Sequence, residues 1–500
     1  MQKINTLGAL KKSGYQPKSV KQEMRDNLIH CLQHGINPFE KIQGYDDTVL
    51  PQIHTAILSK HNMILLGLRG QAKTRIARLM VNLLDEHIPV VAGSEINDDP
   101  LAPLSKFAID LVAEKGDNTP IEWVHRNQRY TEKLATPDVT VADLIGDIDP
   151  IKAASLKLSY ADERVIHYGL IPRSHRCIFV INELPDLQAR IQVSLFNILQ
   201  EGDLQIRGFK LRLPLDIQFV FTANPEDYTN RGSIVTPLKD RIDSQILTHY
   251  PKSIETSLAI TKQEALLSEV QKNNIQIHDI LFELIEQVAM EARKSELVDQ
   301  KSGVSARLTI SALENLYSFA ERRMYLSGKD KTHARIQDLY GAVPAITGKV
   351  ELVYEGELEV AKNVALNLIG KAIRSTFEAR FPNPEKAKKS KQANPYAKII
   401  QWFNEGNVCK ISSTADSKGY EAELMQVDGL KDFVQHHLGK SSKDELLLMM
   451  EYVLHGLSEF SQLSKFNDIT GPVFKDIMSG MFNAGGDSDD TDFGGYYENR

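Results

Sequence analysis

Residues 67–75, which read GLRGQAKTR, have the residue types and the spacing that bind phosphate groups. A phosphate-binding loop has the form G-x-x-x-x-G-K-[ST]. Its backbone N–H groups hold phosphate oxygens, its lysine neutralises their charge and its hydroxyl ligates Mg²⁺. Gly67, Lys73 and Thr74 stand at the required offsets. An apolar run precedes the loop and a helical pattern follows it, so the N–H groups of the loop and of the helix start would point at a bound anion.

Ala72 departs from this pattern, because glycine is expected directly before the lysine. Alanine adds one methyl group, which is tolerable if its φ angle is negative, and Gly70 still supplies a glycine within the loop. A Gly-rich turn between a strand and a helix is the alternative interpretation. The order of strand, loop and helix favours nucleotide binding. The candidate phosphate-binding residues are Gly67, Gly70, Gln71, Ala72, Lys73, Thr74 and Arg75.

A site that hydrolyses a nucleotide also needs an acidic residue after a neighbouring apolar strand, and the segment CIFVINE supplies one. We expect Glu183 to polarise the attacking water; an ordinary carboxylate at a strand end is the alternative. Asn182 stands just before it, where an aspartate usually holds Mg²⁺ through its water shell. An uncharged amide binds that shell more weakly. The sequence therefore predicts either a Mg²⁺ ion that depends on Thr74 and phosphate, or slow hydrolysis.

Three more polar residues could act on the γ-phosphate or the water. Asn224 follows the apolar run IQFVFTA and could orient the water, unless Asn-Pro is a plain turn. Arg241, in TPLKDRID, stands at a predicted helix end, from which an arginine can reach the γ-phosphate of a neighbouring subunit. A surface salt bridge is the alternative for Arg241, and Arg231 is the rival candidate. Arg307 starts a predicted helix in GVSARLTISALENL and could contact the γ-phosphate of its own chain.

The elements that must position these residues follow from the alternation of apolar and amphipathic stretches between residues 41 and 252. Short apolar runs predict a parallel sheet with helices on both faces, an α/β fold. The runs are NMILLG (62–67), IPVVAG (88–93), CIFVIN (177–182) and IQFVFTAN (217–224).

The remaining segments are mostly helical in pattern. A helical extension is predicted for 1–40, a helical lid domain for 253–380 and a further all-helical domain for 396–482. The stretch 381–395 is rich in Pro and Lys and is predicted to be a basic linker. The Gly- and Asp-rich stretch 483–500 is predicted to be a disordered acidic tail.

Composition excludes several classes of function. The formal net charge of −7 at pH 7 gives no basic field for nucleic acid or anionic membranes. Cys31, Cys177 and Cys409 share no CxxC spacing, so we expect buried thiols in a reducing compartment rather than a disulfide framework or a zinc site. No stretch approaches 18 apolar residues and the N-terminus lacks a long apolar core. We therefore expect neither a membrane span nor a signal peptide, and a cytoplasmic location.

In their order and spacing, the motifs GLRGQAKT, FVINE, FTANP, LKDRID and SARLT resemble those of AAA+ ATPases. Two further features resemble the clade of MoxR and the magnesium chelatase ATPase subunit (subunit I). These are a long insert at about 130–170 and a β-hairpin at about 203–216, before the FTANP strand. The segment KIQGYDDTVLPQIHTAILS also resembles that clade, in which Ile42 and Gly44 would lie against adenine. The resemblance covers about residues 38–375.

The resemblance implies ATP and Mg²⁺ as cofactors and a homo-oligomeric ring, a hexamer, with ATP between subunits. It also implies a motor that remodels or assembles a partner protein complex. Members of the clade commonly work with a protein that carries a von Willebrand A domain. This chain has no DxSxS signature of that domain, so such a partner would be a separate protein. No residue pattern indicates tetrapyrrole chemistry.

Two other functions stay open. Ala72 and Asn182 would also suit a scaffold that binds ATP and assembles but hydrolyses little. Relatives with the same hairpin translocate on DNA, and this hairpin carries Arg207, Lys210 and Arg212. The acidic chain and the lack of a recognisable DNA-binding motif make nucleic acid an unexpected partner. No GAFTGA-type loop supports a role as an activator of σ54 transcription.

Overall fold

The computed structural model describes residues 4–160, 162–206, 212–225, 233–353, 358–389, 393–468 and 471–477. The chain divides into two compact units, Met1–Tyr250 and Pro251–Arg500. In the described residues, no helix is long and apolar enough to cross a bilayer.

The first unit alternates strands and helices. Its strands are β1 (Met63–Leu66), β2 (His87–Val91), β3 (Ile121–His125), β4 (Tyr130–Leu134), β5 (Gly146–Ile148), β6 (Ile166–Tyr168), β7 (Cys177–Asn182), β8 (Asp203–Gln205), β9 (Arg212–Pro214), β10 (Ile217–Ala223) and β11 (Ser244–Leu247). Its α-helices are α1 (Leu7–Lys12), α2 (Val20–His34), α3 (Val49–Leu58), α4 (Lys73–Leu79), α5 (Lys106–Lys115), α6 (Val141–Leu144), α7 (Pro150–Leu156), α8 (Leu170–Arg173), α9 (Ala189–Ser194), α10 (Phe196–Glu201) and α11 (Thr236–Asp240). Short 3₁₀ helices lie at Met80–Leu83, Gly116–Asn118, Arg126–Gln128, Glu163–Val165 and Leu184–Asp186.

Five parallel strands in the order β11-β1-β10-β7-β4 form the central sheet. Successive residues of β7 pack on opposite faces: Ile178 and Val180 enter one apolar cluster, and Phe179 and Ile181 enter another. A strand buried on both faces needs a mostly apolar sequence, and β1, β7 and β10 have one. The predicted α/β fold with a parallel sheet is confirmed.

The prediction was wrong for the run IPVVAG. Its strand, β2, pairs antiparallel with β3 in a separate two-stranded sheet. The remaining places in the central sheet belong to β4 and β11, whose sequences are YTEKL and SQIL. Both are edge strands with polar residues, so a search for apolar runs missed them.

Two antiparallel pairs lie in the segments predicted as insert and hairpin. β5 pairs with β6 around α7, with Gly146 opposite Tyr168. β8 pairs with β9. The proposed hairpin turn and its cations Arg207 and Lys210 lie outside the described residues.

The N-terminal helix α2 is anchored to the sheet domain by a buried ion pair. Ser19 caps its start, and Gly35 ends it with a φ of 66°. The Glu23 carboxylate accepts from both terminal nitrogens of Arg129, at 2.6 and 2.7 Å. Both side chains are less than 5% exposed. A bidentate pair in such a place holds two elements in one fixed orientation.

The second unit is mainly helical. Its α-helices are α12 (Ile254–Glu264), α13 (Glu269–Asn274), α14 (Asp279–Lys294), α15 (Arg307–Leu326), α16 (Val343–Thr347), α17 (Leu358–Phe377), α18 (Pro384–Lys389), α19 (Ala397–Asn404), α20 (Ser417–Met425), α21 (Leu430–Leu438) and α22 (Lys443–Glu459), with a 3₁₀ helix at Ile336–Ala342. Its strands are β12 (Ile275–Gln276), β13 (Thr332–His333), β14 (Cys409–Lys410), β15 (Ser464–Asp468) and β16 (Gly471–Lys475).

One apolar cluster runs through this unit, with Ile285, Leu316, Ile369 and Leu454 among its members. It therefore contains residues of both the predicted lid and the predicted C-terminal domain. The C-terminal part is not helical throughout, because β14, β16 and β15 form a three-stranded sheet that the sequence did not indicate. The short helix α18 lies within the stretch predicted as a linker. Residues 483–500 lie outside the described residues.

Candidate nucleotide-binding site

The segment between β1 and α4 forms a loop at the carboxyl edge of the central sheet. β1 ends at Leu66 and α4 begins at Lys73, as the motif predicts. A Cβ atom at Gly67 would overlap the Thr248 hydroxyl and the Gln71 side chain. Glycine is therefore required at the first position of the loop.

Ala72 has a left-handed backbone, with φ 57° and ψ 15°. The condition under which alanine would be tolerated without strain, a negative φ, is therefore not met. An L-residue other than glycine pays about 1–2 kcal/mol in that conformation, because its Cβ approaches the backbone. Gly70 has a φ of 73°, which glycine adopts freely. The loop thus has the backbone that a glycine at position 72 would give, with strain added by the methyl group.

Side chains from distant parts of the chain hold the loop. The Tyr45 hydroxyl lies 2.7 Å from the His249 carbonyl and 3.1 Å from the Gln71 carbonyl, which share its one proton. The Tyr250 hydroxyl donates to the Arg69 carbonyl at 3.0 Å. Thr248 donates to the Gln71 side-chain oxygen at 2.6 Å. Burial raises the pKa of Tyr45 to about 12, so its hydroxyl remains a donor. The sequence motif does not reveal these supports, because they are not part of it.

The segment that contains Ile42 and Gly44 lies beside the loop through the Tyr45 hydrogen bond. Ile42 is buried and packs with the apolar cluster under β1. Gly44 has a φ of 77°, so it turns the chain before Tyr45. Contact of Ile42 and Gly44 with adenine stays a prediction.

Lys73 links the loop to the neighbouring strand β10. Its ammonium group donates to the Gly67 and Leu68 carbonyls, the second at 2.9 Å, and to Asn224 Oδ1 at 2.6 Å. Asn224 follows β10 and is 4% exposed. β10 lies between β1 and β7, so Asn224 follows the strand between the loop and Glu183.

Asn182 lies at the end of β7, facing the start of α4. The Thr74 hydroxyl lies 3.5 Å from Asn182 Oδ1, and the Thr222 hydroxyl donates to the same oxygen at 3.1 Å. A hydroxyl and an amide oxygen are hard ligands, which suit Mg²⁺ or the water molecules around it. The residues present therefore fit a hydrated Mg²⁺ ion between α4 and β7.

The structure adds Glu132 to this group. It lies on β4, and its carboxylate accepts from Asn182 Nδ2 at 2.6 Å. Arg78 and Tyr130 also donate to it, at 2.9 and 3.0 Å. Sequence analysis missed Glu132 because it missed β4; an acidic residue in YTEKL, a run with β-forming residues, was the only available signal.

Glu183 has an unusual backbone for a glutamate, with φ 56° and ψ 50°. Its N–H donates to the Thr222 hydroxyl at 3.1 Å. Residues held in this region cluster at functional sites, where the surrounding structure enforces them. The side chain is half-buried, and no side chain in the described part of the protein hydrogen-bonds or ion-pairs with its carboxylate.

The two candidate arginines lie in different units of the chain: Arg241 in the first and Arg307 in the second. Arg241 caps the end of α11, where its guanidinium donates to Gln200 and Pro237 and stacks 5.0 Å from the Phe196 ring centre. Arg307 is the first residue of α15, in the second unit, with an exposed side chain. Arg231, the rival to Arg241, lies outside the described residues.

Comparison with known sequences shows similarity to one family model and to a curated protein. The family model described as the AAA domain of the dynein-related subfamily matches residues 121–242, which contain β7 and β10 but not the phosphate loop. The curated protein "Chaperone MoxR1" from Mycobacterium tuberculosis (strain ATCC 25618 / H37Rv) is 20% identical over 361 residues. That alignment covers 68% of this chain and 81% of the relative.

Solved structures with some likeness are distant. NtrX from Brucella abortus in complex with ATP has a TM-score of 0.37 and 11% identity, over 71% of this chain and 67% of that one. The complex of magnesium chelatase subunits BchI and BchD has a TM-score of 0.33 and 19% identity, over 63% of this chain and 96% of that one. A putative ATPase from Cytophaga hutchinsonii ATCC 33406 has a TM-score of 0.29 and 15% identity, over 72% of this chain and 97% of that one. Likenesses this weak carry no argument of their own.

The parallel sheet, the glycine-containing loop at its carboxyl edge and the two sequence matches define a fold class. The chain has the AAA+ fold and is similar to AAA+ ATPases. Within that class its sequence is similar to MoxR1, in agreement with the resemblance to the MoxR clade that the motifs indicated.

Proposed function

We propose that the protein binds ATP with Mg²⁺ at this site and hydrolyses it as the motor of a homo-oligomeric ring. The ring would remodel or assemble a partner protein complex. The observation that carries the proposal is the hydrogen bond from Lys73 to Asn224, which ties the phosphate loop to the strand beside Glu183. A turn that served only to connect a strand and a helix would not need a lysine that hydrogen-bonds to the end of the neighbouring strand.

The chemistry assigns a task to each residue. Backbone N–H groups of residues 70–74 and the Lys73 ammonium bind the phosphates. Glu183 accepts a proton from water while Asn224 orients it. The water oxygen bonds to the γ-phosphorus, the bond to the bridging oxygen breaks, and ADP and phosphate leave. Mg²⁺ bound through Thr74 would offset phosphate charge.

Two arginines would complete the cycle. Arg241 of the neighbouring subunit stabilises the charge that develops on the γ-phosphate. Loss of that phosphate then frees Arg307 and moves the second unit, which would transmit the change to the partner. The relative MoxR1 is named a chaperone, which supports a protein client. A separate protein with a von Willebrand A domain is the class of partner that we propose, and the cytoplasm is the proposed location.

Steady-state ATP hydrolysis with Mg²⁺ tests the proposal, together with the size of the assembly with and without ATP. Glu183→Gln should bind ATP, form the ring and lose turnover by at least about 100-fold. Glu86→Gln is the matched control, because Glu86 is exposed and lies outside the site. Turnover of Glu183→Gln at the wild-type rate would contradict the role of Glu183.

A scaffold that binds ATP and hydrolyses little is the second candidate. The strained Ala72 and the uncharged Asn182 favour it, because each departs from the usual hydrolytic site. Ring assembly on ATP, with no ATP turnover by the wild type or by Glu183→Gln, would support the scaffold. Nucleic acid stays outside the proposal; absence of DNA binding near 100 mM salt would agree with that.

A further inference from the structure

The side-chain amide of Asn182 is held at both ends. Its nitrogen donates to Glu132 at 2.6 Å, and its oxygen accepts from Thr222 at 3.1 Å and lies 3.5 Å from the Thr74 hydroxyl. The side chain is 7% exposed. Because a carboxylate can only accept, the nitrogen must face Glu132. The oxygen therefore faces Thr74, on the side where the first helix turn would bind a metal.

Glu132 reaches Asn182 because of the strand register. Leu134 of β4 is opposite Asn182, and Glu132 is two residues earlier on the same face of the strand. Its side chain is 22% exposed, whereas that of Arg78, its ion-pair partner, is 64% exposed. Arg78 donates to both carboxylate oxygens of Glu132, at 2.9 and 3.2 Å. Because its side chain is mostly exposed, water screens part of its positive charge, whereas the hydrogen bond between Glu132 and Asn182 is shielded.

We propose that Glu132 supplies the negative charge that an aspartate at position 182 usually brings to Mg²⁺. It acts through Asn182 as a positioning residue: it fixes the amide and polarises its oxygen, since linked hydrogen bonds strengthen one another. The site keeps one carboxylate and one neutral side chain, but the carboxylate lies on the neighbouring strand β4 and reaches the metal side through the amide of Asn182. This proposal rests on the proposed nucleotide site and concerns only how Mg²⁺ is held there.

A charge-relocation series tests it. Binding of a fluorescent ATP analogue is measured as Mg²⁺ is titrated, and also in EDTA. Glu132→Gln keeps an oxygen acceptor for Asn182 but removes the charge. We expect it to raise the Mg²⁺ concentration for half-maximal effect by about tenfold, with binding in EDTA unchanged. Glu132→Gln combined with Asn182→Asp reverses the hydrogen bond and should restore the wild-type Mg²⁺ dependence.

The controls separate this inference from the proposed function. Arg78→Ala removes a positive partner of Glu132 but leaves its charge and its bond to Asn182. The Mg²⁺ concentration for half-maximal effect should therefore not rise above that of the wild type. Wild-type protein that binds no ATP analogue at all would overturn the proposed function. If the wild type binds the analogue and Glu132→Gln shows the same Mg²⁺ dependence, only the role of Glu132 is overturned. A double variant that stays impaired would overturn it as well.

Discussion

The Lys73 ammonium nitrogen lies 2.6 Å from Asn224 Oδ1, so one hydrogen bond joins the phosphate loop to the end of β10. Lys73 also donates to two loop carbonyls. An ammonium group has three N–H bonds, so a phosphate oxygen must replace one of these three acceptors. Where that acceptor is Asn224, nucleotide binding changes its hydrogen bonding and gives this residue a direct way to sense the phosphate.

Lys73→Ala should weaken ATP binding by at least about 100-fold, because each hydrogen bond from a charged group contributes about 1.5–3 kcal/mol. Titration calorimetry measures the dissociation constant. Lys106→Ala is the control, since Lys106 lies exposed on α5 in an ion pair with Asp110. Equal affinities of Lys73→Ala and the wild type would show that the loop is not a phosphate site.

Ala72→Gly should stabilise the first unit by about 0.5–1 kcal/mol. Glycine removes the strain of the left-handed backbone, and part of that gain is offset by the greater freedom of the unfolded chain. Urea unfolding measures the difference. Ala113→Gly is a matched control with the opposite sign, because Ala113 is exposed within α5 and glycine there costs about 1 kcal/mol. Destabilisation by both substitutions would contradict the strain at Ala72.

His175 makes the stability of the first unit depend on pH. Burial, helped by the charge of Arg176, lowers its pKa to about 4, while Asp98 opposes the shift. Its Nδ1 accepts from the Asp216 N–H at 2.9 Å, which requires the neutral ring. The folded pKa lies below the unfolded value near 6.5, so this contribution is present above pH 6.5 and lost as pH falls to 4. It amounts to at most about 3 kcal/mol.

Urea unfolding of wild type and His175→Asn at pH 7, 5.5 and 4.5 measures this contribution. Asparagine offers an oxygen acceptor near the place of Nδ1 and does not titrate. We expect the gap in unfolding free energy between the two proteins to change in favour of the variant as pH falls. A gap that is constant across the three pH values would rule out His175 as its source.

Arg241 can be tested by mixing subunits. Arg241→Ala and Lys73→Ala should each be inactive alone. If Arg241 acts on the neighbour's ATP, a mixed ring has sites with an intact Lys73 next to an intact Arg241. An equal mixture should then recover about a quarter of the wild-type rate, because random mixing makes one interface in four complete. No recovery in rings proven to be mixed would exclude action across the interface.

The sequence predicted the elements that follow strong local rules. β1, β7 and β10 are buried on both faces, and their apolar runs revealed them together with Gly67, Lys73 and Asn182. The edge strand β4 has a mixed sequence, so neither the strand nor Glu132 was found. Long-range packing also sets features that no motif contains, such as the support of the loop by Tyr45 and the left-handed backbone of Ala72.

The ion pair between Glu23 and Arg129 has a practical consequence for recombinant work. A shortened gene product that begins at residue 41, at the start of the nucleotide-binding domain, would omit Glu23. The truncation would remove the counter-charge of Arg129 together with the helix that carries it, and breaking a buried ion pair costs about 3–5 kcal/mol. We expect the shortened product to be less stable, so expression of this domain has to retain the whole of α2.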